Sequence, residues 1–397
     1  MNAKRFDLIT LTDLDFGELD GKCFARLEEH FPINNGRPDA DLPKDSEGKL
    51  YNLFKESAEW IFQGYEGYTT TLPDAIRYQL PSIAEGGGES TSGDEQFEAC
   101  LLASSKYAVG VIAVWMSKIP PPQTDLQDLR KELHDRGKTV VDAWNAKLHE
   151  IMNPKTLLKS KAESATTTND GEPPPVFASS RYYPMASAWS AIELSELFKN
   201  PGDVQYLGRI FTGNSEWDDP ASLSELILEE NLSKRNYERL YIRWTDAFAI
   251  YGSDNTEYER TLFRAVQIFE YCIFVDCLFR SSSRQTDDLM TKVTGFWPNP
   301  FALNKRLQES AEIKRTYLAS LPVHSSEGKR MLSAALKSYG IVPGLIDSVD
   351  TELNLLVSRY QWSKTQFMAA IALAAYLADK LGFFELISHL LWHRWIS

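Results

Sequence analysis

The sequence predicts an α+β fold that is mainly helical: a small sheet packed with helices, then a helical C-terminal half ending in a long helix. Three observations predict it. Residues 5–14, 107–116 and 240–251 form short runs rich in β-branched and aromatic side chains, as strands do. From Thr256 onward apolar residues recur at helical spacing almost without relief. Between Gly344 and Trp395 there is no proline and one internal glycine, Gly382, so only that glycine interrupts a helix there.

Length and composition set the frame. The 397 residues suffice for a sizeable core and about two or three domains. Hydrophobic residues are 43% and charged residues 24%, with a mean hydropathy of −0.32. That balance suits a folded chain rather than a disordered one. Ten tryptophans call for large buried clusters. The net charge is −13, and the densest basic stretch, Arg235–Arg243, is interrupted by Glu238. Nucleic acid is therefore not an expected partner, because phosphate binding needs a basic face. Cys23, Cys100, Cys272 and Cys277 form no CxxC pair, which fits a reduced, intracellular setting. The opening MNAKRFDLITLTDLD has no apolar core of the secretory type. The expected location is cytoplasmic, with membrane association as the alternative.

Element by element, 5–14 (RFDLITLTDL) reads as a strand, followed by a loop carrying Pro32, Pro38 and Pro43. Leu50–Gln63 has helical spacing and Ala84–Glu95 reads as a flexible acidic loop. Tyr107–Met116 (YAVGVIAVWM) is a continuous apolar run, expected to be a buried strand. After Pro120–Pro122, Thr124 is the expected N-cap of a helix reaching about Met152. Residues 159–175 are polar and rich in Ser, Thr and Pro, which marks a linker or inserted loop. Tyr183–Phe198 and Ala221–Glu230 are expected helices, and Leu240–Gly252 a strand pair or a strand entering a turn. Ala265–Phe279 is apolar nearly all round, so it belongs in the middle of a core. Phe301–Ser320 and Ser326–Tyr339 complete the helices before Pro343. The implied organisation is an N-terminal α/β region over 1–158, the linker over 159–175, a mixed region over 176–255 and a helical region over 256–397.

The final helix carries the strongest functional expectation. Phe367–Ala378 (FMAAIALAAYLA) is twelve residues without a charge. Upstream, Ile346, Val349, Leu353, Leu356 and Tyr360 keep the spacing of helix–helix packing. Helical over 344–395, the segment would span roughly 75 Å at ~1.5 Å per residue. Its apolar positions must be covered, and Leu353, Leu356, Tyr360, Phe367, Ile371 and Leu373 are the expected interface. A second copy or another protein is the expected cover, and a membrane contacted through 366–395 is the alternative.

Candidate chemistry is sparse. Glu385, His389 and His393 recur every four residues, which places all three on one helix face and makes them a candidate divalent-metal site. The plain reading is a helix end where cationic His favours the dipole. No other cofactor is expected. Arg130 and His134 are too close for the Arg–His pair of a helical ribonuclease and read as surface groups. Gly86–Gly88 has acidic flanks and no following Lys-Ser/Thr, so it is not a phosphate loop. Asp218–Asp219 and Asp287–Asp288 diverge on regular structure and read as caps and surface charge. Cys23 with His30 makes no dyad by spacing alone. Neither GxSxG, HExxH nor a dinucleotide fingerprint occurs.

The order of LYIRWTDAFAIYG (Leu240–Gly252), the apolar helix after it, and LNLLVSRYQWSKTQFMAAIALAAYLADKLG (Leu353–Gly382) resembles the CorA-like metal-ion transporter architecture. That resemblance implies a soluble α/β domain leading through helices into a very long helix that enters a membrane. The family's Gly-Met-Asn signature and second hydrophobic segment are absent, so ion conduction is not implied. The expected function is a non-enzymatic interaction or assembly protein working through its C-terminal helix. The alternatives are a peripheral or membrane-associated CorA-like protein, and a metal-dependent hydrolase whose ligands come from distant segments.

Overall fold

The computed structural model describes residues 3–17, 21–31, 75–81, 95–152, 181–212, 231–233, 236–243, 246–255, 258–293, 300–319 and 346–380, with 177, 330, 333, 334, 336 and 337. The expected helices Leu50–Gln63 and Ala221–Glu230, and the expected linker over 159–175, lie outside these residues.

Seven strands form one sheet: β1 (Ala3–Asp15), β2 (Ile76–Leu80), β3 (Glu95–Ser104), β4 (Val109–Lys118), β5 (Tyr182–Ser190), β6 (Glu238–Arg243) and β7 (Asp246–Tyr251). Their order is β2-β3-β4-β1-β5-β7-β6. Every pairing is antiparallel except β5 with β7. The sheet is thus larger than the small one expected. It also takes strands from both sides of 159–175, since Leu8 of β1 pairs with Met116 of β4 and with Ala186 of β5.

The strand at 182–190 corrects the expected helix over Tyr183–Phe198. Its sequence, YYPMASAWS, carries helix formers, yet both its edges lie beside strands in the folded chain. Strand preference here comes from burial between neighbours, not from local propensity. Pro184 falls one residue before the Met185–Trp189 ladder to β7, so its missing N–H costs that ladder nothing.

Helices cover both faces of the sheet. On one lie α1 (Gly21–His30), α2 (Leu126–Met152) and α4 (Pro201–Thr212), with the short α3 (Leu194–Leu197) between β5 and α4. Leu126, Leu129, Leu133, Val140, Val141, Trp144 and Leu148 of α2 are buried in one core with Phe6, Leu8 and Leu14 of β1, as their spacing predicts. The N-cap of α2 is Asp125, not Thr124. Asp125 Oδ1 accepts from the Gln127 amide at 2.9 Å, while the Thr124 hydroxyl turns back to the Pro121 carbonyl at 2.7 Å. Asp125 also accepts from Tyr206 Oη at 2.9 Å, which ties α4 to the start of α2.

The other face is covered by the first part of α5 (Tyr258–Val293), up to Ser281. Ile268, Phe269, Ile273, Phe274 and Val275 are buried, in line with the central role expected of Ala265–Phe279. Between α5 and the sheet runs a line of polar contacts. Asp7 accepts from Trp115 Nε1 at 2.9 Å, from Arg5 Nε at 3.0 Å and from the Tyr258 hydroxyl. Cys277 Sγ donates to the Leu14 carbonyl at 3.3 Å. Arg280 Nη2 meets Asp13 at 2.9 Å.

The chain divides into two compact units. The first, Met1–Ser281 with Thr316–Pro343, contains the sheet and its covering helices. In the second, Ser282–Arg315 with Gly344–Ser397, the end of α5 is joined by α6 (Pro300–Ile313) and α7 (Ile346–Lys380), and α6 packs against α7. A π-helical segment, Lys314–Ala319, follows α6 directly. Helix outweighs strand among the described residues. The fold is therefore mixed and mainly helical.

Candidate functional site

The candidate site is the distal half of α7. This helix forms because Ile346–Lys380 contains no proline or glycine and is rich in Ala and Leu, the best helix formers. Thr365 keeps its hydroxyl occupied by bonding back to the Gln361 carbonyl at 2.9 Å, so it does not break the run. Lys380 Nζ lies 5.8 Å from the Tyr376 ring centroid, an exposed cation–π contact near the helix end.

The large apolar side chains of this half face outward. Trp362, Met368, Ile371, Leu373, Tyr376 and Leu377 are 47% to 65% exposed. The alanines between them, Ala369, Ala370, Ala372, Ala374 and Ala375, are exposed too. At about 100° per residue, Met368, Tyr376, Leu373, Leu377 and Ile371 sit at about 0°, 80°, 140°, 180° and 300° around the axis. The apolar surface therefore wraps the whole cylinder and is no single stripe. Each large side chain leaves on the order of 100 Å² in water, several hundred Å² together, which reaches the size of functional patches on monomers.

Of the expected interface residues, Ile371 and Leu373 are exposed and Phe367 is half-buried. Leu353, Leu356 and Tyr360 lie on α7, with side chains outside the described residues. Trp362, Met368, Tyr376 and Leu377 escape a search for helical periodicity, because periodicity selects one face. The signal that finds Met368, Tyr376 and Leu377 is the twelve-residue uncharged run itself, while Trp362 lies before it.

Other candidate sites assemble less. Glu385, His389 and His393 lie outside the described residues. Among the described residues no group of three or more His, Cys, Asp or Glu is placed to hold a metal ion. Cys100, Cys272 and Cys277 are buried and reduced, and burial raises the thiol pKa of Cys272 and Cys277, the opposite of a nucleophile's environment. His30 Nδ1 lies 2.8 Å from the Arg26 carbonyl. Arg130 is held by Asp246 at 3.4 Å, and burial followed by the charges of Arg130 and Lys138 lowers the His134 pKa.

A buried-edge charge cluster joins Asp13, Asp276 and Arg280. Arg280 meets Asp13 at 2.9 Å and Asp276 at 2.8 Å. Burial works against the Arg280 charge, but Asp13 and then Asp276 outweigh it and raise its pKa. Burial raises the Asp276 pKa, with Arg280 opposing. The cluster fastens α5 to β1.

No known protein family, no curated protein and no solved structure matches this chain. No helix among the described residues is long and apolar enough to cross a membrane.

Proposed function

We propose that this protein is a non-enzymatic interaction or assembly protein whose C-terminal helix mediates oligomerisation or docks on a protein partner. One observation carries the reading: the outward apolar surface of Met368, Ile371, Leu373, Tyr376 and Leu377. Full burial of such a side chain is worth about 1.5–3 kcal/mol, and roughly half of that remains to be gained by each of these half-exposed ones, so association needs all of them covered together. One long terminal helix over 344–395, in a cytoplasmic protein, belongs to this reading. The test is light scattering coupled to size-exclusion chromatography, without detergent, on the full chain and on a chain ending at Lys364. A full-length oligomer, or a complex, that becomes monomeric on truncation supports it. A full-length monomer with an unfolded truncated chain assigns the helix to the core instead.

A second reading is contact with a membrane through 366–395, as in a CorA-like protein without a demonstrated pore. The exposed apolar side chains of α7 favour it, since a helix lying at a bilayer surface buries such side chains among the lipid. So does the order of a mixed α/β unit, then helices, then α7. Flotation with liposomes separates the two: co-flotation of the full chain, lost on truncation at Lys364, favours the membrane.

A further inference from the structure

We propose that Trp189 and Tyr258 form a one-electron relay, which carries an oxidising equivalent from the surface to a tyrosyl radical on Tyr258, with Asp7 accepting the phenolic proton. This goes beyond the assembly reading and does not depend on α7. The oxidant is a solution radical of the peroxyl class. It takes one electron from Trp189 and one proton from water, and becomes a hydroperoxide.

The two rings are placed for such a transfer. Trp189 is half-buried near the end of β5, and Tyr258 is buried at the start of α5. The rings stack with centroids 5.0 Å apart and planes within 8° of parallel. At that separation the faces touch, so an electron passes directly from one ring to the other. Trp189 Nε1 donates to the Gly252 carbonyl at 3.1 Å. A carbonyl is too weak a base to take that proton, so oxidised Trp189 stays a radical cation. Lys4 Nζ lies 4.7 Å from the Trp189 ring centroid. A cation is attracted to the neutral ring and repelled by the oxidised one. The positive charge therefore moves on rather than resting on Trp189.

Tyr258 receives it by losing a proton as well. A phenol radical cation is costly in a site without water, so the proton has to leave with the electron. The Tyr258 hydroxyl already donates to Asp7 Oδ2, and Ser187 Oγ lies 3.0 Å from the same hydroxyl. Asp7 Oδ1 is engaged separately, by Trp115 Nε1 at 2.9 Å and Arg5 Nε at 3.0 Å. That division keeps Oδ2 for the phenolic proton. In the step, one electron passes from Tyr258 to Trp189 and restores the neutral indole. The Tyr258 O–H bond breaks, and its proton forms an O–H bond on Asp7 Oδ2. The products are a neutral tyrosyl radical and a neutral carboxyl. The positive charge no longer balanced by Asp7 is that of Arg5, whose side chain is 13% exposed and so stays in contact with water. Burial of Tyr258 keeps dissolved reductants away from the radical.

A ruthenium tris-bipyridine sensitiser attached at Ile192→Cys tests this in the full chain carrying Cys23→Ser. Ile192 is exposed and lies three residues beyond Trp189, and the other three cysteines are buried. Flash–quench oxidation of the sensitiser should yield a tyrosyl radical by electron paramagnetic resonance and transient absorption. Tyr258→Phe should abolish that signal and leave an indole radical instead. Tyr251→Phe, whose ring also lies 5.0 Å from Tyr258, should leave the tyrosyl signal unchanged. Heavy water should slow the rise of the radical, because a proton moves in the same step. If Tyr258→Phe fails to fold, Trp189→Phe, which leaves Tyr258 and Asp7 intact, should by itself slow the rise. A tyrosyl signal that survives Tyr258→Phe, or one that forms as fast without Trp189, overturns the proposal.

Discussion

Gly137 shows how one residue sets the distance between a helix and the sheet. A Cβ placed there would lie 2.4 Å from Thr10 Oγ1 and 3.0 Å from Thr10 Cβ, and Thr10 is itself buried. Alanine inside a helix ordinarily gains about 1 kcal/mol over glycine. Here the clash with a strand residue should reverse the sign, so Gly137→Ala is expected to lose about 1–3 kcal/mol in urea unfolding. A gain would show that α2 can rise off β1 freely. His134, half-buried on the same helix, makes a second prediction. Burial, then Arg130 and Lys138, lower its pKa. The unfolded chain therefore binds its proton more readily, and its share of stability is complete above about pH 6.5. That share is lost as pH falls below this value toward the lower folded pKa. Replacing His134 with Gln should reduce the drop in melting temperature between pH 7 and pH 5. An unchanged drop would assign the acid sensitivity to other groups, such as His149, whose pKa burial also lowers.

At the scale of elements, α5 is held to β1 by apolar packing and by charge together. Arg280→Met removes the cation that Asp13, itself buried, receives at 2.9 Å. Breaking a buried pair from one side costs ~3–5 kcal/mol, and the lower end applies here because Arg280 is partly exposed. Asp13→Asn with Arg280→Met should recover part of that loss, since the fully buried Asp13 carboxylate is then gone and only Asp276 is left without Arg280. Additive losses in the double variant would mean that the two side chains act separately. Phe274 is fully buried in the same helix, and Phe274→Asp is expected to abolish soluble folding. A soluble variant with native circular dichroism would place α5 outside the core. These elements differ in how plainly the sequence announces them. The α2 region is legible from helical periodicity, β6 and β7 from the alternation of Leu240–Gly252, β1 from a run rich in Leu, Ile and Thr, and β4 and the α5 core from continuous apolar runs. β5 is not, because YYPMASAWS is a strand only by virtue of its neighbours. β3 (EQFEACLLAS) lacks β-branched residues, and its pairing with β4 decides its conformation. Of the candidate site, the uncharged run is legible, but its exposure on every side of α7 is not, since periodicity assumes one covered face.

For the whole molecule, the two units pose different stability problems. The first has a sheet covered on both faces and gains its stability from burial that the second cannot match along distal α7. If the apolar surface of α7 serves association, changing it should separate assembly from folding. Met368→Gln, Ile371→Gln and Tyr376→Gln together alter side chains that already face water, so each should shift intrinsic stability by no more than about 0.5 kcal/mol. Glutamine is also a good helix former, so α7 itself should persist. The triple variant should therefore keep the circular dichroism and the main unfolding transition of the unaltered chain at low protein concentration. Its mass by light scattering should fall if copies or partners cover the helix, and its recovery with liposomes should fall if lipid does. A triple variant that unfolds earlier, with neither mass nor lipid binding changed, would mean that these side chains stabilise the chain's own fold. That result would move the search for function to the sheet-bearing unit.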